Sequence, residues 1–91
     1  MRVPDQPLPG DLVIRCRDEH VAPFDRTIKV WIVSIWPDAE ITTAGPYQSY
    51  RYAFDQATRL VRGASLFVWR DHARTGEPEE LELVGIGSGA V

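Results

Sequence analysis

Cys16 and His20, spaced C-x3-H, are the first residues along the chain whose types could act together, as two corners of a zinc site or as a thiol beside a base. A closed zinc site takes four ligands, and the chain has one Cys and only one further histidine, His72. No metal is expected. A catalytic thiol and its base are defined by spatial geometry that a three-residue spacing does not establish. Asp71 and His72 form a second acid-base candidate, and Asp18-Glu19 and Glu79-Glu80 are paired acids in polar segments, which read as solvated surface. Gly-rich phosphate loops, G-x-S-x-G and H-E-x-x-H are all missing from the sequence. The expectation is a protein that is not an enzyme and carries no cofactor.

Charge gives the other candidate. Arg51, Arg59, Arg62, Arg70 and Arg74 face only Asp55 and Asp71 across residues 51–74, a locally positive segment suited to an anion or a nucleic acid, with Phe67 or Trp69 available to stack on bases. Glu77, Glu79, Glu80 and Glu82 follow at once and offset that charge. Over all 91 residues the net charge is −3, which excludes a broadly basic surface. One cysteine excludes an internal disulfide, and no apolar run approaches the roughly 18 residues of a membrane span. Together these features predict a cytoplasmic protein.

The elements that must position these residues are read from punctuation and period. Pro4, Pro7, Pro9 and Gly10 make residues 1–10 a Pro-rich arm; residues 11–86 form one domain and 87–91 a flexible tail. Leu12 to Ile14 open a short strand at most, interrupted by Pro23. Ile28 to Trp36 is the clearest strand, rich in β-branched and aromatic residues and stopped by Pro37-Asp38. A partner near Glu40 to Ala44 returns antiparallel. Ser49 then caps a helix from Tyr50 to Arg62, whose apolar stripe is Tyr50, Ala53, Phe54, Ala57, Leu60 and Val61, and Gly63 ends it. Leu66 to Arg70 and Leu81 to Ile86 supply two more strands. The fold class expected is α+β: an antiparallel sheet of about four strands with one helix packed on one face, in the order β-β-α-β-β. A parallel pair within residues 28–70 is the topological alternative.

One helix shelters only one set of alternate side chains, yet both sets are apolar. Ile28, Val30, Ile32 and Trp36 oppose Trp31, Val33 and Ile35, and Leu66 and Val68 oppose Phe67 and Trp69. Burying each such side chain is worth about 1.5 to 3 kcal/mol, so the second face must be covered. The candidates are the N-terminal segment around Leu12 to Ile14, a second copy of the chain, or a ligand.

The run from Ile28 to Val84, with Gly45-Pro46-Tyr47-x-Ser49, a helix containing Ala53 and Ala57, and Leu66-Phe67-Val68-Trp69-Arg70, resembles small bacterial domains of unknown function. That resemblance implies no catalytic residues. The hairpin-then-helix portion is also similar to the antitoxin partners of small bacterial toxins with a partly degraded ribonuclease-like fold. Gly45-Pro46-Tyr47 stands where those antitoxins have Pro-Gly-Cys, and no DNA-binding segment is expected after the last strand.

The functional expectation is a protein-interaction domain that self-associates, as a dimer, through Trp31, Val33, Ile35, Phe67 and Trp69. The alternative is a nucleic-acid-binding or antitoxin-like regulatory domain using Arg51, Arg59, Arg62, Arg70 and Arg74.

Overall fold

The computed structural model describes residues 4–87 and 89, with the backbone alone for residues 39–42. The elements follow in the order β1 (Leu12–Val21), β2 (Arg26–Ile35), β3 (Asp38–Tyr47), α1 (Tyr50–Leu60), β4 (Phe67–Asp71) and β5 (Glu82–Ile86), with a 3-10 turn at Pro78–Glu80. The class is α+β, a mostly antiparallel five-stranded sheet with one helix. Its strand order is β3-β2-β1-β4-β5, and every neighbouring pair is antiparallel except β1 and β4. The parallel pair is therefore β1 with β4, and not one formed within residues 28–70.

The first strand is the largest departure from the sequence reading. Residues 12–21 form a full ten-residue strand at the centre of the sheet, where a short and doubtful one was expected. Its outer half, Arg15 to His20, is polar, and pairing with β2 holds it extended from Leu12↔Ile35 through Val21↔Arg26. Pro23 does not break this strand. It sits in the connecting turn, where Asp25 takes a left-handed φ of 47°.

Helix α1 follows the local signals. The Ser49 hydroxyl accepts from the Tyr52 N–H at 3.4 Å, Val61 is the C-cap, and Gly63 has φ 80°. Ala53 and Ala57 are fully buried, and these small side chains bring the helix close to Leu12, Ile14, Val33 and Val68. Leu60 departs from the stripe: it lies on the flank of the last turn and is exposed.

The second face is closed from within the chain. Leu12 to Ile14 cannot lie across it, because they are part of the sheet itself. Leu81, at the end of the connection between β4 and β5, packs instead on Val13, Phe67 and Trp69, with Trp36 and Leu83 at the margin. Asp11 lies beneath them, 1% exposed, and accepts from the Phe67 N–H at 3.1 Å and from the Trp69 indole N–H at 3.1 Å.

The described parts of the expected arm and tail, within residues 4–10 and at 87 and 89, make contacts with the sheet and the helix-to-β4 connection. Pro7 is buried, the Leu8 N–H donates to Asp11 Oδ2 at 2.9 Å, and the Gly10 N–H donates to the Trp36 carbonyl at 2.9 Å. At the other end the Gly87 N–H donates to the Leu66 carbonyl at 2.8 Å, and the Gly89 carbonyl accepts from the Ser65 hydroxyl. A Cβ on Gly87 would fall 2.3 Å from the Ala64 carbonyl oxygen, so only glycine permits this approach. The parts of the arm and tail at residues 1–3, 88, 90 and 91 lie outside the described residues. Among the described residues no helix is long and apolar enough to cross a membrane.

Candidate functional site

The five residues expected to form one interaction surface lie on two faces. Trp31 and Val33 share the helix side with Cys16 and Ile14, their partners across the β1-β2 ladder, and Ile35 lies on that side by register. Phe67 and Trp69 lie on the opposite side, 7% and 2% exposed beneath Leu81. The side chains follow the two-residue period of the strands, and grouping these five together required a register across the sheet that does not occur. Phe67 and Trp69 are also too buried to stack on bases.

The five arginines divide as well. Arg51 and Arg59 are exposed on α1, where Arg59 pairs with Asp55 at 3.3 Å one turn away, and Arg62 is exposed in the turn just past the C-cap Val61, not on the helix as expected. Arg70 and Arg74 leave the helix and meet in a concavity of about 300 Å³ on the helix side of the sheet. Its floor comes from Ile14, Cys16 and Asp18 of β1 and Lys29 and Trp31 of β2, and its wall from Arg70, Asp71, His72 and Arg74. The β1-β2 register builds that floor, setting Cys16 opposite Trp31 and Asp18 opposite Lys29.

Two of the cations are held in place. The Arg70 guanidinium lies 3.9 Å from the centre of the Tyr50 ring, on the first residue of α1. Burial raises the Tyr50 pKa above its ordinary 10 and Glu82 adds to this, while the charge of Arg70 and its hydrogen bond pull the other way. Arg74 donates to Cys16 Sγ at 2.9 Å and lies 3.5 Å from the Asp18 carboxylate. The loop that carries Arg74 is tied down by Asp71, whose buried carboxylate accepts from the Gly76 N–H at 3.1 Å and lies 3.7 Å from Arg15. Lys29, Arg70 and Arg74 thus share the concavity with two carboxylates, Asp18 and Asp71, the second also close to Arg15, beside a half-buried indole.

Cys16 and His20 do not combine. The thiol faces Arg74, and His20 Nε2 lies 3.6 Å from Asp25 at the far end of the hairpin. Among the described residues no three His, Cys, Asp or Glu side chains come together to hold a metal ion. Sequence reasoning missed Lys29, Asp18 and Cys16 as neighbours of Arg70 and Arg74. The signal lay in the ten-residue length of β1, which its charged half conceals.

Compared with models of known protein families, with curated proteins and with solved structures, the chain matches none.

Proposed function

We propose that this chain is a non-enzymatic binding domain, working in the cytoplasm, whose ligand is a small organic anion held in the concavity between β1, β2 and β4. The observation that carries the reading is the convergence of Lys29, Arg70 and Arg74 on a cavity beside Trp31. A net charge of −3 offers no broadly positive surface and favours a small ligand over a polyanion spread along a surface. Guanidinium groups held by Tyr50 and by Cys16 and Asp18 lose little freedom on binding a carboxylate or phosphate.

Calorimetric titration with inorganic phosphate and with benzoate tests this. Arg74→Gln and Arg70→Gln are each expected to weaken binding about tenfold, the effect of losing one charged hydrogen bond, and added salt should weaken it further. Arg62→Gln, in the turn past α1 and outside the concavity, should leave it unchanged. Wild-type protein that takes up neither anion, or equal losses in all three variants, would overturn the reading.

Self-association is the second reading, on a surface that keeps only Ile35 of the five residues expected from the sequence. Leu8, Ile35 and Ile86 are exposed at one end of the sheet, where Leu12 pairs with Ile35 and Phe67 with Ile86, and β5 is an edge strand. A dimeric sedimentation mass that Ile86→Arg reduces to the monomer supports it. A monomeric wild type removes it.

A further inference from the structure

We infer that the anion is a nucleotide unit, one planar base joined through a sugar to a phosphate, with the base against Trp31 and the phosphate between Arg70, Arg74 and Lys29. This rests on the anion-pocket reading above and goes further by naming the ligand. The cavity of about 300 Å³ is far more than a lone phosphate ion fills, and it sits at the small end of the range for sites that take organic ligands. Its chemistry has two parts. Lys29, Arg70 and Arg74, set against the carboxylates of Asp18 and of Asp71, which also has Arg15 beside it, suit the charge of a phosphate monoester, about −1.5 to −2 at neutral pH, and planar guanidinium groups bind phosphate oxygens in pairs. Trp31, half-buried against the core beneath α1, offers a fixed apolar wall to a flat ring. It is the aromatic residue that takes the stacking role, since Phe67 and Trp69 are closed beneath Leu81. The acidic balance of the whole protein favours a single unit over a long strand.

The experiment is a calorimetric comparison of adenosine monophosphate, adenosine, inorganic phosphate and a 5′-phosphorylated tetranucleotide on the full chain. Adenosine monophosphate is expected to bind at least about tenfold more tightly than phosphate or adenosine alone, the advantage of one stacked base. Trp31→Leu should abolish that advantage while leaving phosphate affinity in place, and Arg74→Gln should weaken the mononucleotide and phosphate together. Tighter binding of the tetranucleotide assigns the unit to the end of a strand; equal or weaker binding assigns it to the free nucleotide, and both results support the inference. Equal affinity of wild-type protein for the mononucleotide and for phosphate overturns the nucleotide assignment and leaves the anion pocket standing. Absence of binding by every anion overturns both. If Trp31→Leu does not fold, the wild-type comparison alone decides.

Discussion

Replacing Asp11 with Ala is expected to lower the unfolding free energy by about 3 to 5 kcal/mol, measured by urea denaturation with two-state analysis. One carboxylate serves three donors: the Leu8 N–H, the Phe67 N–H and the Trp69 indole N–H. Two of these bonds are buried, and each buried donor left without a partner costs about 1 to 3 kcal/mol. A chain of this length has a total stability of about 5 to 14 kcal/mol, so the loss is a large share of the whole. Asp11→Asn separates the charge from the geometry. Its amide oxygen can still accept, but it supplies one acceptor atom where the carboxylate has two, and an intermediate loss is expected. A change below about 1 kcal/mol in the alanine variant would mean that Asp11 does not link the start of β1 to β4 in solution.

Leu81→Ala is expected to cost a further large amount, about 2 to 5 kcal/mol for a buried leucine truncated to alanine, and to alter the surface as well as the stability. Leu81 is the side chain the loop sets down on Val13, Phe67 and Trp69. It follows the 3-10 turn, and the loop before it is fastened by the Asp71 bond to Gly76 and by the contact of the Thr75 hydroxyl with Glu80. Without Leu81 the variant should bind a hydrophobic dye and acquire the sticky second face that the strand pattern alone suggests. Dye binding equal to wild type, with stability unchanged, would show that this face is covered by something other than the loop.

What could be read in the sequence, and what could not, divides according to the range of the interaction. Helix α1, its Ser49 cap and its Gly63 stop depend on neighbours within one or two turns, so their signals are local. β2 is legible because Val30 to Ile35 are nearly all apolar or β-branched. β1 is not: Arg15 to His20 are polar along one strand, and only the ladder to β2 makes them part of the sheet. Leu81 reads as the first residue of the last strand, but its place over the second face does not show, because it lies between Glu79-Glu80 and Glu82, where composition points to solvent. Arg70 and Arg74 were recognised as charges, but their companions Asp18 and Lys29 are eleven residues apart in a hairpin whose register no short pattern reveals. The same ambiguity of register grouped Trp31 with Trp69, which lie on opposite sides of the sheet.

The side-by-side alignment of Leu12 with Val68 carries a consequence for how the chain acquires its shape. The ladder between β1 and β2 is local, but the central strand gains its second neighbour only when a segment more than fifty positions downstream arrives. Such distant partnerships close slowly, because the entropy of the intervening loop is lost before any reward is gained. Docking of β4 is therefore expected to come late in folding, and the concavity, walled by Arg70, exists only after it.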